Sequence, residues 1–128
     1  MNVIVYGSRR RGERANTLLN TCAFEGIVTV DGYELRHLGG FPGIVPNPKS
    51  AIVGELYSGV TPELLKRLDQ YEGYDGDHDG SMYLRVIVPE FQAYVYVWNG
   101  TADRYPVIET GDWKKQKDIS HHAESVVG

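Results

Sequence analysis

The chain has 128 residues, enough for one domain around a single modest core, and its 41% hydrophobic and 23% charged content is that of a globular protein. A net charge of -4, with Ser8-Arg9-Arg10-Arg11 as the one short basic run, excludes a general nucleic-acid binder, which needs clustered cations against phosphate. A single cysteine, Cys22, excludes an internal disulfide, and no apolar run approaches transmembrane length, so no membrane span is expected.

In chain order, NVIVYG (2–7) is a β-branched run ended by Gly, which predicts a buried strand. MNVIVYGSRR has no charged leader followed by a long apolar stretch, and the expected location is cytoplasmic. Ala15, Leu18, Leu19 and Cys22 recur at helical spacing, which predicts a short helix over 12–22. Phe24 to Val30 and Tyr33 to Leu38 flank Asp31-Gly32, a hairpin signal. GGFPGIVPNPKS (39–50) is rich in Gly and Pro and is expected to be a loop. AIVGELY (51–57) predicts a strand, Thr61 to Glu72 a helix, and YLRVIV (83–88) with AYVYVW (93–98) a hairpin. After Gly100 the pattern weakens. Strands outnumber helices and several neighbours are hairpin-linked, which points to an α+β fold: a small mixed, curled β-barrel with two flanking helices. The expected organisation is one domain over 1–115 and a C-terminal tail over 116–128.

Two sets of carboxylates compete for a function in YEGYDGDHDGSMY (71–83). Asp75, Asp77, Asp79 and Gly80 match the first, third, fifth and sixth positions of a calcium loop. The twelfth position of such a loop supplies a bidentate Glu, and here it is Val86 at the start of a strand pattern. The aspartates therefore read as a solvated surface turn, with His78 facing solvent among them.

Glu72 is different. Thr61 suits the N-cap, Pro62 the first helical position and Gly73 a left-handed C-terminal cap. Leu64, Leu65, Leu68 and Tyr71 form one apolar stripe, and Glu72 falls within it. An acid aimed inward at a helix C-terminus is pushed toward its neutral form by burial and by the macrodipole. Its structural alternative is an ion pair with an internal cation such as Arg85.

The turn after the first strand, Tyr6-Gly7-Ser8-Arg9, can expose successive backbone N–H groups to an anion, although it lacks the spacing and Lys of a P-loop. Taken alone, it reads as a tight turn followed by a solvated arginine run. An anion nest with an inward carboxylate suits a ligand carrying both carboxylate and ammonium, an amino acid.

YGSRRRG, VGELY, LDQYEGY, Tyr83-x-Arg85, VYVW and ETGDW, in this order, resemble the gamma-glutamylcyclotransferase superfamily from about Val3 to Trp113. The resemblance implies a curled β-barrel with a cavity at one end. It also implies metal- and cofactor-independent cleavage of gamma-glutamyl amides to 5-oxoproline and free amine. It places the catalytic acid–base on Glu72, the substrate-binding loop on Tyr6, Gly7, Ser8 and Arg9, and a pocket tyrosine on Tyr83, while Glu55 and Tyr57 receive no role. Family loops usually carry Leu or Asn where Arg9 stands, which leaves the identity of the leaving amine open; Arg9 borders the anion nest and is not placed as a base, so it is expected to act on affinity. The expected partner is a small-molecule gamma-glutamyl substrate. The alternative is a non-catalytic module that holds an amino-acid-like ligand or a partner protein in the same cavity.

Overall fold

The computed structural model describes residues 1–77 and 79–115; His78 and the expected tail over 116–128 lie outside the described residues. Five strands, β1 (Asn2–Val5), β2 (Ala23–His37), β3 (Pro42–Ser58), β4 (Tyr83–Val88) and β5 (Ala93–Trp98), form one sheet in the order β2-β3-β1-β5-β4. All pairings are antiparallel except β1 with β5, so the sheet is mixed. The α+β class stands, with an open sheet in place of a closed barrel.

The expected helix α1 (Pro62–Glu72) has the caps its sequence asks for. Thr61 Oγ1 accepts from the Leu64 amide at 3.2 Å, and Gly73 adopts φ 68° at the C-terminus. Leu64, Leu65 and Leu68 bury against Val3, Val5, Tyr57, Tyr83 and Tyr96 on one face of the sheet. Each of these leucines contributes about 2 kcal/mol by leaving water. Tyr71 departs from the stripe: it is 59% exposed and its ring covers the Arg9 guanidinium instead of joining the core. The alternation of β1 sends Ile4 to the opposite face, where Ile44, Ile52, Val95, Val97 and Trp113 complete a second core.

Three expectations fail for identifiable reasons. The segment 12–22 is a 3-10 helix over Arg14–Leu19 with no side-chain N-cap, and Asn16, Thr17 and Asn20 are poor α-helix formers. Asp31-Gly32 is no hairpin turn. β2 continues through it, and residues 47–50 of β3 bulge out opposite Gly32, which sits at φ 89°. Most of the expected loop 39–50 is the start of β3, and the reversal is confined to Gly39–Phe41, closed by Leu38 N–H donating to Phe41 O at 2.9 Å. Pro42 and Pro46 are accommodated because β3 pairs there with β2 alone, so one side of the strand has no ladder that needs their N–H. Among the described residues, no helix is long and apolar enough to cross a membrane.

Candidate active site

The chain leaves β1 at Val5 and turns sharply at Gly7, where a Cβ would stand 2.5 Å from Pro42 Cγ. Glycine is required by this close approach. The carbonyls of Gly7, Ser8 and Arg9 are taken in turn by Arg10 N–H at 3.0 Å, Ala15 N–H at 2.9 Å and Asn16 Nδ2 at 2.6 Å. The 3-10 helix thus fastens the loop at Ser8 and Arg9, and Arg10 closes the turn from within it.

A buried carboxylate fastens it from below. Glu55, 2% exposed on β3, accepts from Arg10 Nε at 3.0 Å, from the Arg11 amide at 2.8 Å and from Tyr57 Oη at 3.2 Å. Arg10 also donates through Nη1 to Asp112 at 2.6 Å. The arginine run is therefore not a solvated patch: Arg9 and Arg10 are 6% and 3% exposed. Glu55 and Tyr57, without a role in the sequence reading, hold the loop. No local spacing pointed to them, because the register that pairs Val5 with Glu55 and Val3 with Tyr57 exists only in the folded sheet.

Glu72, at the last turn of α1, receives a hydrogen-bonded ion pair from Arg9 Nη1. Arg85, the cation anticipated for it, instead donates through Nη1 to Asp69 at 2.5 Å, and Asp69 also accepts from Tyr96 Oη at 2.7 Å. The Glu72 side chain is 15% exposed. Burial pushes its carboxyl above the ordinary value of 4.5, and the guanidinium of Arg9 pulls it back in part. The Arg9 guanidinium lies 4.2 Å from the centre of the Tyr71 ring. Its remaining donors, Nε and Nη2, are buried and have no hydrogen-bond partner among the described residues.

Tyr6, Gly7, Ser8, Arg9, Glu72 and Tyr83 all line one cavity of about 420 Å³. Ile4, Val5 and Tyr96 contribute to its wall, and Arg14, Phe41, Pro42, Tyr71 and Met82 complete the lining. Tyr6 Oη donates to Tyr96 O at 2.7 Å, and Tyr83 Oη donates to Pro42 O at 2.6 Å. Burial raises the hydroxyls of Tyr6, Tyr83 and Tyr96 well above the ordinary phenol range, and Glu72 adds to each shift. They stay neutral, and the ionisable centre of the cavity is the Arg9–Glu72 pair.

The aspartates lie apart from this cavity's lining and close their own turn. Asp75 Oδ1 accepts from the Asp77 amide at 2.8 Å and from Ser81 Oγ at 3.1 Å, and Asp77 Oδ1 accepts from the Asp79 amide at 3.1 Å. These bonds hold the exposed Asp75 carboxyl below its ordinary value. Among the described residues, no group of three His, Cys, Asp or Glu side chains is placed to hold a metal ion.

Residues 3–115 match the model of the family described as gamma-glutamyl cyclotransferase, AIG2-like. A gamma-glutamylcyclotransferase family protein, YtfP, of Escherichia coli K12 is 29% identical over 113 residues, 88% of this chain and 96% of that protein. The solution structure of protein ytfP from E. coli superposes with a TM-score of 0.70 at 31% identity, covering 91% of this chain and 99% of that one. The crystal structure of an AIG2-like protein from Mus musculus does so with a TM-score of 0.67 at 26% identity, covering 84% and 85%.

Proposed function

The chain belongs to the gamma-glutamyl cyclotransferase, AIG2-like family, and on that premise we propose that it converts a gamma-glutamyl amide to 5-oxoproline and a free amine. Glu72 is the general acid–base of this reading, and no metal or cofactor takes part. The observation that supports it best is a desolvated carboxylate, in an ion pair with Arg9, on the wall of a cavity that also exposes the Gly7–Ser8 loop.

The substrate supplies its own nucleophile. Its α-amine attacks the γ-carbonyl carbon, the new C–N bond closes a five-membered ring, and the carbonyl π electrons move onto oxygen. Collapse of that oxyanion breaks the bond to the leaving amine. Glu72 takes one proton from the α-ammonium so that the amine can attack and passes it to the leaving nitrogen as that bond breaks. The ring nitrogen then gives up its second proton, through Glu72, to the departing amine, which leaves as an ammonium, so atoms and charge balance without a redox step. Ring closure within one bound molecule carries the large advantage of an intramolecular reaction, and the cavity needs only to hold the bent conformer. Burial makes Glu72 a better base than an ordinary carboxylate, and Arg9 keeps it ionised. In this reading the donors for the oxyanion are the Gly7 and Ser8 N–H groups of the loop, whose shape is held by the bonds its carbonyls accept from Arg10 and Ala15. Tyr6 and Tyr83, neutral and tied to backbone carbonyls, shape the wall. A lone cysteine and no disulfide suit a cytoplasmic enzyme.

The test is incubation with a panel of gamma-glutamyl amides, with 5-oxoproline followed by mass spectrometry. Release from at least one member is the expected result. Saturable binding of the panel with no 5-oxoproline would replace the enzyme by a non-catalytic amino-acid-binding module.

A further inference from the structure

We propose that Arg9 is an autoinhibitory latch on Glu72: in the resting site its guanidinium holds the place on the carboxylate that the substrate's α-ammonium must take, and the ammonium opens the site by displacing it. The role of Glu72 rests on the function proposed above; the latch rests on how Arg9 is held.

Arg9 belongs to the loop after β1 and Glu72 to the last turn of α1, so the contact joins two elements that are otherwise separate at this point. Both side chains are enclosed, at 7% and 15% exposure, and both line the cavity. Arg9 Nη1 donates to Glu72 Oε1. A guanidinium and an ammonium are both cationic donors, so they compete for the same carboxylate, and a seated guanidinium leaves less charge and fewer lone pairs for the newcomer. Arginine does not release a proton near neutral pH, so while seated it is a block and not a relay. It keeps the base ionised and keeps it covered.

The remaining contacts of Arg9 show a closed state that is poised for release. The Tyr71 ring, 59% exposed, lies 4.2 Å from the guanidinium. Nε and Nη2 are buried without a hydrogen-bond partner, and among the described residues no other buried side-chain polar atom is left so. Buried donors without acceptors are costly, so one ion pair and one ring contact are set against two orphaned groups. Arg10, next in the chain and 3% exposed, shows what a fixed arginine looks like: Glu55 meets its Nε and Asp112 its Nη1. A displaced Arg9 gains water at the two donors that have none when it is seated. The arriving ammonium carries the proton that Glu72 is to take, so opening the site and loading the base are one event. A ligand without that cation has nothing to exchange for the guanidinium.

The experiment reads the sign of the effect of removing Arg9. With a gamma-glutamyl amide that the wild type turns over, and at a pH on the plateau of both proteins, Arg9→Met is expected to raise kcat/KM by about tenfold, the scale of one charged hydrogen bond. Arg9→Lys, which keeps the charge without the fork, is expected to fall between the two. Tyr71→Ala, which uncovers the guanidinium, is expected to give part of the gain. An unchanged or lower kcat/KM in Arg9→Met overturns the latch, and if that variant does not fold, the same sign in Arg9→Lys and Tyr71→Ala decides. If no amide yields 5-oxoproline, the reaction fails separately and calorimetry reads the latch alone. The probes are beta-aspartyl-methylamide, which keeps the α-ammonium but is one carbon too short to close the ring, and N-methylsuccinamate, which lacks the ammonium. Tighter binding of the first to Arg9→Met than to the wild type, with no such gain for the second, sustains the latch. Equal, weaker or absent binding of the first, or an equal gain for both, overturns it.

Discussion

Arg9 Nη1 reaches across 63 residues of chain to the carboxylate of Glu72, so the proposed base and its neighbouring cation are one unit. The base cannot be altered without changing the cation's surroundings, and the reverse also holds. Arg9 was expected to act on affinity; if Glu72 is the base, as proposed, this contact lets Arg9 act on the chemistry as well.

The first consequence concerns pH. Burial raises the Glu72 carboxyl, and Arg9 lowers it. Glu72 faces Arg9 from the loop, Tyr6 from the end of β1, Tyr83 from β4 and Tyr96 from β5, and of these only Arg9 is charged. Activity needs the ionised base and is lost as pH falls through its pKa. The acid limb of kcat/KM should therefore lie above 4.5 in the wild type and move to higher pH in Arg9→Met, where only the raising influence remains. A limb that stays in place, or moves to lower pH, would show that Glu72 is not the titrating base.

Glu55→Gln should cost stability before it costs chemistry. Arg10, 3% exposed, would lose the charge that faces its Nε while keeping Asp112. Removing one partner of a buried pair costs about 3 kcal/mol at the low end, so Tm should drop by about 10 °C. A variant as stable as the wild type in thermal unfolding would mean that the loop does not depend on this carboxylate.

Gly7→Ala tests the shape of the loop. The new Cβ would stand 2.5 Å from Pro42 Cγ, so either the loop or the turn carrying Phe41 and Pro42 must give way. Both line the cavity. The expected result is a fall in kcat/KM of about tenfold or more with most of the stability retained, because small displacements at a reacting centre are costly. Unchanged kinetics would place the reaction away from this loop.

What could be read in advance was local. Thr61, Pro62 and Gly73 punctuate α1 within thirteen residues, and the leucine spacing fixes its inward face. The β4–β5 hairpin announced itself through β-branched and aromatic runs on either side of a short connection. The long arms of β2 and β3 did not, because prolines read as loop unless it is known that one side of the strand lacks a neighbour, and that is a property of sheet order. Gly32 offered a turn that the chain uses as a corner within a continuous strand. At the site, all six anticipated residues line one cavity, yet the ion pair that joins two of them spans 63 residues of chain, and no spacing rule connects Arg9 to Glu72. Glu55 and Arg10 escaped for the same reason, each an unremarkable charge until its partner is brought to it.

The Glu72→Gln variant separates a base from a structural ion. A neutral amide removes the proton acceptor, and turnover should fall by at least about a hundredfold. It also leaves Arg9, 6% exposed, without its counter-charge, so the variant should unfold at lower temperature than the wild type. Destabilisation alone is therefore no evidence against catalysis, and a second substitution is needed. Arg9→Met with Glu72→Gln removes both members, and an apolar replacement of a buried pair is often neutral or better for stability. The double variant should recover thermal stability relative to Glu72→Gln while remaining inactive, and stability and activity should part company. If the double variant recovers 5-oxoproline release along with its Tm, Glu72 is a structural partner of Arg9 and the base lies elsewhere in the cavity.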